Sequence, residues 1–536
     1  MANSPSTIGG KWLGAIAGPS TVSAALCDAD RAGFTLPARH FLASPVGRAT
    51  NTGRNRAGVR FARRRGASQK ESRLLSTAAN DLHGALPPGI RPDQRYRAVT
   101  RRNVVDTAEW SQLAPELQRA VQVSSTVLPF RTNPYVMSEL IDWDRVPDDP
   151  MYQLTFVQEQ MLAPDDFNTM AALLDREASN AEIKAAADKI RRRLNPHPAG
   201  QMTHNVPKLD GRPLQGMQHK YRETVLFFPS QGQTCHAYCT FCFRWAQFVG
   251  LDDVKFQAKE VDDLTAYLQQ HKEVSDLLVT GGDPLIMRTK ALASYLDPIL
   301  DPALSHVQTI RLGTKSVAYW PQRFVTDNDA DDLLRLFDRV IKSGRHLAIM
   351  GHYNHPRELS TPIAAEAIRR IRNTGAQVRM QSPLIAHVND DSDAWASLWR
   401  TGVRLGAIPY YMFVERDTGP KAYFEVPLER AWNIFRDAYQ QVSGLARTVR
   451  GPSMSAFPGK VMFDGVAEVA GEKVFVLQFL QARDPSWVRR PFFAKYDPQA
   501  TWLDDLQPAF GEKRFFFEEG EGGVPRSVRR LTVVGE

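Results

Sequence analysis

The stretch Cys235-His-Ala-Tyr-Cys239-Thr-Phe-Cys242 holds three of the chain's four cysteines. Three thiolates at CxxxCxxC spacing suit a [4Fe–4S] cluster, in which cysteine holds three irons and the fourth stays open for a small molecule. A zinc knuckle is the alternative, but it needs a fourth ligand. His236 is poorly placed for that role because it adjoins Cys235. The spacing therefore predicts an iron–sulfur site.

The bulk composition describes an enzyme with a basic tail. At 536 residues the chain exceeds one typical domain, so we expect a large catalytic domain with extensions. Most of the net charge of +8 comes from the first hundred residues, which argues against a nucleic-acid surface on the folded domain. Few, clustered cysteines predict a reducing compartment, and no apolar run is long enough to span a membrane. We expect a cytoplasmic protein that binds neither nucleic acid nor membrane.

The pattern along the chain predicts four segments. Residues 1–95 are rich in Ala, Arg, Ser and Gly and predict a disordered leader. This leader is either a transit peptide, which would place the protein in an organelle matrix, or sequence upstream of the true start. Residues 96–210 have helical periodicity, 211–420 alternate strands and helices, and 421–536 form a C-terminal extension.

The alternating segment predicts a parallel sheet curved into a partial (β/α)6 barrel, an α/β fold. In such barrels chemistry takes place at the carboxyl ends of the strands, and the cysteine stretch follows the first predicted strand. The predicted strands are Thr224–Phe228, Asp276–Thr280, Thr309–Leu312, His346–Met350, Gln377–Met380 and Ile408–Phe413.

A second motif, Gly281-Gly282-Asp283, follows the second of these strands. Two glycines let the backbone approach a ligand closely, and the Asp283 carboxylate can accept from an ammonium group. Together, the cysteine stretch and this turn resemble the radical S-adenosylmethionine (SAM) superfamily. The resemblance implies that the open iron chelates SAM, which is cleaved to a 5′-deoxyadenosyl radical. It also implies that the turn holds the SAM amino group and that Phe241 lies beside the adenine.

Short motifs in the correct order make the whole span 128–464 similar to the lysine 2,3-aminomutase family, which combines radical SAM with pyridoxal 5′-phosphate (PLP). The matching stretches are Phe130-Arg-Thr-Asn-Pro-Tyr135, His219-Lys220-Tyr221, Arg311-Leu-Gly-Thr314, Pro321-Gln-Arg323, His352-Tyr-Asn-His-Pro356, Gln381-Ser382, Pro409-Tyr410-Tyr411 and Pro458-Gly459-Lys460.

The resemblance assigns three residues to cofactor and substrate. Lys460 would bind the PLP aldehyde, since a lysine amine reacts there as a nucleophile. Lys220 takes the position of a family arginine that binds the PLP phosphate, which a point charge holds with less geometric definition. Arg244 would hold the substrate α-carboxylate, a task suited to a bidentate guanidinium.

The chain departs from the family at the distal end of the substrate. Lysine-acting members use two aspartates there to hold the distal ammonium of the substrate. The position of the first aspartate corresponds to Arg416, or to Asp417 if the loop carries one extra residue. The position of the second corresponds to Ser453. If Arg416 faces the pocket, a substrate with a distal carboxylate is favoured, whereas Asp417 would keep lysine possible. The C-terminal zinc cysteines of the lysine enzyme are also missing, and the region from Val474 onward differs.

The expected function is that of a radical SAM, PLP-dependent amino acid 2,3-aminomutase, an isomerase that forms a β-amino acid. One alternative is a relative that makes β-lysine for a translation elongation factor. Another is a non-enzymatic iron–sulfur electron carrier or sensor. The expected partners are an amino acid substrate, a flavodoxin- or ferredoxin-type reductant and further copies of the chain in a homo-oligomer.

Overall fold

An eleven-stranded sheet organises the chain. The computed structural model describes residues 86–194, 205–250, 256–258 and 261–518, so nearly all of the predicted leader lies outside the described residues. In chain order the strands are β1 (Met217–Tyr221), β2 (Thr224–Phe227), β3 (Asp276–Val279), β4 (Thr309–Thr314), β5 (His346–His352), β6 (Gln377–Leu384), β7 (Ile408–Val414), β8 (Arg450–Ser455), β9 (Gly459–Val469), β10 (Glu472–Ala482) and β11 (Pro491–Lys495).

Strands β2 to β8 run parallel, and each lies beside the strand that precedes it in the chain. Strand β1 and strands β9 to β11 extend the two edges in antiparallel fashion. Among the described strands, β1 and β11 are edge strands that do not pair with each other, so the barrel is open. This confirms the predicted α/β architecture, and all six predicted strands are present.

Twelve α-helices accompany the sheet within the described ranges, and none of them is long and apolar enough to cross a membrane. They are α1 (Pro115–Ser124), α2 (Pro150–Thr155), α3 (Pro164–Asp175), α4 (Asn180–Leu194), α5 (Val261–Gln270), α6 (Thr289–Leu296), α7 (Ser316–Tyr319), α8 (Ala330–Lys342), α9 (Pro362–Asn373), α10 (Ser392–Leu405), α11 (Lys421–Phe424) and α12 (Leu428–Gln440).

Alternation along the parallel strands separates the core from the site. In β4 the side chains of Ile310, Leu312 and Thr314 are buried, whereas the intervening positions are half-buried. Since successive side chains point to opposite faces of a sheet, the apolar set joins the main core while Arg311 lies on the other face. Polar groups on that second face are thus held at fixed positions by a rigid strand.

The antiparallel strands at the C-terminal edge were not predicted from the sequence. Strands β9 and β10 are joined by a two-residue turn at Ala470-Gly471, and both residues have positive φ (52° and 80°). Such a turn matches the twist of a hairpin. These strands bury a second apolar cluster that includes Phe463, Phe479 and Trp502. The predicted C-terminal extension therefore continues the barrel sheet.

Candidate active site

The cysteine loop lies beyond the carboxyl end of β2. Cys235, Cys239 and Cys242 are free thiols of intermediate exposure. Burial raises the pKa of Cys239 to about 11 and that of Cys242 to about 12, and the neighbouring Cys239 adds to the latter shift. Half-buried thiols with a raised pKa are ionised most readily by a bound metal, so the loop fits an iron–sulfur cluster.

The arrangement of the thiols differs from a single-ion site. In the described part of the chain, no group of three or more His, Cys, Asp or Glu side chains is placed to hold one metal ion. A cube binds each cysteine at its own iron, which spreads the ligands apart. The His236 ring is turned toward Ser316 Oγ, 2.9 Å from Nδ1, and stacks on Trp320. It therefore takes part in packing behind the loop.

Gly281 and Gly282 allow the turn after β3 to pack directly on the cysteine loop. A Cβ at Gly282 would lie 2.6 Å from both the amide nitrogen and the carbonyl oxygen of Thr234, and one at Gly281 would lie 2.6 Å from Gln233 Nε2. The Asp283 amide also donates to the carbonyls of Gly232 (3.0 Å) and Thr234 (2.8 Å). The glycines thus bring the two loops together backbone to backbone.

The Asp283 carboxylate has a structural role that the sequence did not predict. It is 1% exposed and accepts hydrogen bonds from the Thr314 hydroxyl, from the amides of Leu285, Lys315 and Ser316, and from the Ser316 hydroxyl. These donors occupy both oxygens. The carboxylate thus ties the turn to the segment that follows β4, and its expected contact with an ammonium group stays a prediction.

Two aromatic side chains flank the cysteines. Phe241 is 3% exposed and packs edge-on against His352 and Phe424, so its side chain serves packing in this structure. The Tyr319 hydroxyl lies 3.4 Å from Cys239 Sγ. A hydrogen bond to a ligand sulfur is one of the means by which a protein tunes a cluster, and no motif in the sequence pointed to Tyr319.

Lys460, near the start of β9, places its amine on the barrel's polar face. Its Nζ lies 4.2 Å from the centroid of the Tyr411 ring, and Arg450 covers the same ring at 4.2 Å. Burial, aided by the positive charges of Arg311 and Arg450, lowers the pKa of Lys460 to about 7. Asp276 opposes the shift only weakly because it is paired with Arg311. About half of the Lys460 amine is therefore a neutral nucleophile near pH 7.

Arg244 is held beside the cysteines without an acidic partner. It lies 4.4 Å over the Phe228 ring and donates from Nη2 to Gln233 Oε1 at 3.0 Å. Its Nε is buried and has no hydrogen-bond partner among the described residues. A buried guanidinium that makes no ion pair there fits an incoming carboxylate.

The other three predicted substrate residues differ in their orientation. Arg416 Nη1 donates to the Ser455 carbonyl at 3.1 Å, and its buried Nε forms no hydrogen bond to the described residues. The Asp417 side chain is more exposed (39%, against 19% for Arg416), with Oδ1 3.7 Å from that Nε. Ser453 is fully buried and its hydroxyl donates to the Met412 carbonyl at 3.4 Å. Arg416 thus bonds to the backbone at the end of β8, five residues before Lys460, and Ser453 bonds to the barrel backbone.

Lys220 completes a set of cations around the segment before Lys460. Its Nζ donates to the Ala456 carbonyl. Burial together with the charges of Arg483, Arg416 and Lys460 lowers the pKa of Lys220 well below its ordinary value. Arg483, at the start of the loop after β10, was missed in the sequence because it belongs to no motif. The Arg416 guanidinium also lies 5.8 Å from the Phe243 ring, which connects this set to the cysteine loop.

An open parallel barrel with a three-cysteine loop at the carboxyl end of its first parallel strand defines the radical SAM class of enzymes. No protein-family model matches the chain. An Aquifex aeolicus protein provisionally named L-lysine 2,3-aminomutase is 29% identical over 409 residues, which cover 76% of this chain and 96% of that protein.

Two further relatives match over shorter spans. The L-lysine 2,3-aminomutase of Bacillus subtilis is 26% identical over 234 residues, 44% of this chain and 46% of its own length. The glutamate 2,3-aminomutase of Clostridioides difficile is 27% identical over 212 residues, 40% of this chain and 47% of its own. The chain thus spans about half the length of these two relatives. The chain is therefore similar to lysine and glutamate 2,3-aminomutases, which are isomerases.

Proposed function

We infer that this protein is a PLP-dependent amino acid 2,3-aminomutase whose substrate carries a distal carboxylate. The observation that carries the proposal is the Lys460 amine, which lies over the Tyr411 ring of β7 and whose pKa is lowered to about 7. An amine that is largely neutral at physiological pH is suited to attack an aldehyde. Lys220, bonded to the link that leads into Lys460, would hold a phosphate as a cation, because a bound anion opposes the lowering of its pKa.

The chain's own residues would hold and orient the reactants. When bound, the cluster and SAM supply a carbon radical that abstracts hydrogen, and PLP supplies a conjugated ring that stabilises the rearranging radical. The Lys460 amine would exchange with the substrate amine. Arg244 would grip the α-carboxylate close to the cysteine loop, which keeps the reacting carbons beside the source of the radical.

Substrate preference follows from Arg416. Its half-buried side chain is one of the positive charges, with Arg483 and Lys460, that lower the pKa of Lys220, so a substrate ammonium placed there would meet several like charges. Asp417, 3.7 Å from the Arg416 Nε, offsets only one of them and is more exposed. A distal carboxylate could accept from the unpartnered Nε. We therefore propose an acidic amino acid such as glutamate as the substrate class, with electrons from a flavodoxin- or ferredoxin-type donor.

Anaerobic turnover tests the proposal. The reconstituted full chain, supplied with SAM, PLP, a reductant and an equimolar mixture of glutamate, lysine and neutral amino acids, should form a β-isomer of an acidic amino acid, resolved by mass spectrometry. Formation of β-lysine alone would refute the Arg416 argument and keep the aminomutase. Cleavage of SAM without any β-isomer would refute the aminomutase itself.

A charge reversal sharpens the substrate assignment. Arg416→Asp should reduce turnover of the acidic substrate relative to lysine by about tenfold or more, the range expected when a charge-assisted hydrogen bond is replaced by repulsion. Arg335→Asp is the matched control, because Arg335 lies on the exposed face of α8 with a partner at Asp332. An unchanged preference in Arg416→Asp would contradict the proposal.

A further inference from the structure

Three cations bind three consecutive backbone carbonyls at the end of β8 and in the link from β8 to β9. Arg416 Nη1 donates to the carbonyl of Ser455 at 3.1 Å, Lys220 Nζ to that of Ala456, and Arg483 Nε to that of Phe457 at 3.0 Å. The link leads directly into Lys460. These contacts fix positive charge from three separate parts of the chain around the backbone that positions the amine.

Arg483 is held rigidly from the C-terminal side. Its Nη2 donates to Asn205 Oδ1 at 2.6 Å, its guanidinium covers the Phe457 ring at 4.3 Å, and its backbone amide donates to the Pro458 carbonyl at 3.0 Å. With Nε and Nη2 used in this way, Nη1 makes no hydrogen bond to the described residues. Lys220 likewise gives one of its three N–H groups to Ala456, so each cation has donors left for a ligand.

The charges of this pair are not compensated within the described part of the chain. Neither Lys220 nor Arg483 forms an ion pair there, and their mutual repulsion contributes to the lowered pKa of Lys220. Arg416 differs, because Asp417 lies 3.7 Å from it. Two uncompensated cations side by side match a phosphate monoester, which carries close to two negative charges and three acceptor oxygens.

We propose that Lys220 and Arg483 together bind the phosphate of PLP, so that the strand pair added at the C-terminal edge of the barrel completes the cofactor site. Lys220 provides a point charge and Arg483 the planar fork that recognises an oxyanion with defined geometry. Arg416 stays available for the substrate. This inference rests on the proposed PLP dependence.

Paired titrations of the full chain with PLP and with pyridoxal, which lacks the phosphate, test the proposal. Binding is followed by the absorbance change that depends on Lys460, with Lys460→Ala as the reference. Arg483→Gln should weaken PLP binding on the order of tenfold or more, as expected for a lost hydrogen bond to a charged group, and leave pyridoxal binding within about twofold. Arg490→Gln is the matched control, because Arg490 is exposed on the same extension and stacks on Phe516.

The outcomes of these titrations distinguish a phosphate-binding role of Arg483 from a role in the fold or in substrate binding. If Arg483→Gln weakens PLP and pyridoxal equally, Arg483 only supports the fold of the link and the proposal fails. If PLP binding is unchanged while half-maximal turnover needs more amino acid, Arg483 serves the substrate carboxylate and the proposal fails as well. Arg483→Lys, which keeps the charge, should bind PLP with an affinity between those of the wild-type chain and Arg483→Gln. Failure of the wild-type chain to bind PLP at all would instead overturn the proposed function.

Inorganic phosphate provides a readout that needs no turnover. It should compete with PLP for the wild-type chain and lose that effect in Arg483→Gln, while competition in Arg490→Gln stays at the wild-type level. Competition that is equally strong in all three proteins would contradict a phosphate site at Arg483.

Discussion

Covalent capture of PLP by Lys460 should have a midpoint near pH 7, far below that of an ordinary lysine. The pKa of the amine is lowered to about 7 from an ordinary value of 10.5, by burial first and then by Arg311 and Arg450. At pH 7 about half of the Lys460 amine is neutral, against roughly one part in 3,000 for an unperturbed lysine. Capture at pH 7 should thus be about a thousandfold faster than on an ordinary side chain.

Reductive trapping measures this difference within one sample. The protein is exposed to PLP and borohydride at several pH values, and the modified peptides are quantified by mass spectrometry. Lys473 is the internal control, because it is exposed and hydrogen bonding to Tyr496, together with Glu429, raises its pKa. Lys460 should be modified with a midpoint near pH 7, and Lys473 only under far more alkaline conditions.

Removal of one neighbouring cation tests the cause. Arg450→Met takes away a positive charge that shares the Tyr411 ring with Lys460, so the midpoint for Lys460 should move to higher pH. The same coupling affects stability: the unfolded chain holds this proton up to about 10.5, so the contribution of Lys460 to stability should increase as pH rises from about 7 to 10.5. Coincident midpoints for Lys460 and Lys473 would refute the reasoning.

Two further predictions concern the cysteine loop, and a third concerns the buried ion pair between Lys315 and Glu358. Tyr319→Phe removes the hydroxyl beside Cys239, and the loss of a hydrogen bond worth about 1 kcal/mol should lower the cluster's reduction potential on the order of 40 mV for one electron. Anaerobic redox titration followed by electron paramagnetic resonance measures this shift. Tyr353→Phe, which removes another buried hydroxyl, should leave the potential unchanged. Gly282→Ala would bring a Cβ within 2.6 Å of the Thr234 backbone, so iron content after reconstitution should fall, whereas Gly444→Ala, with nothing within 4 Å, should keep it. Lys315→Met leaves the fully buried Glu358 carboxylate without its ion-pair partner at 2.6 Å, so the free energy of unfolding measured in urea should fall by about 3–5 kcal/mol. Lys342→Met breaks an exposed pair with Asp338 and should lower the free energy of unfolding by less than about 1 kcal/mol. Equal losses in the two variants would contradict the argument.

Periodicity alone predicted most of the barrel. The strand predicted at 309–312 extends to Thr314, and the helix Ala330–Lys342 fills the segment between this strand and the one predicted at 346–350. These elements alternate apolar and polar residues with a clear period, and each is separated from the next by a segment of the other type. The antiparallel strands β9 to β11 lack that alternation of strand and helix, which is why they were not predicted. Strand β8 does follow helix α12 and was missed as well.

Local sequence determined which residues carry the chemistry wherever the relevant groups are close along the chain. The spacing of Cys235, Cys239 and Cys242 fixes a three-thiol loop, and Gly281-Gly282 predicts a close approach, because both depend on covalent neighbours and backbone freedom. The sequence did not predict the partner of that approach. The partner is the cysteine loop itself, and only the packing of β2 against β3 brings the two together.

Tertiary structure alone decided the direction of the charged side chains. Arg416 and Asp417 are adjacent in sequence, and the choice between them depends on which one meets Ser455, 39 residues further along the chain. Asp283 is occupied by donors from the loop after β4, and Arg483 reaches Phe457 and Asn205 from the extension. Electrostatic interactions depend on distance through space, and residues far apart in sequence become neighbours only when the sheet forms. The sequence thus determined the barrel and its reactive groups, and the fold decided which charges meet in the site.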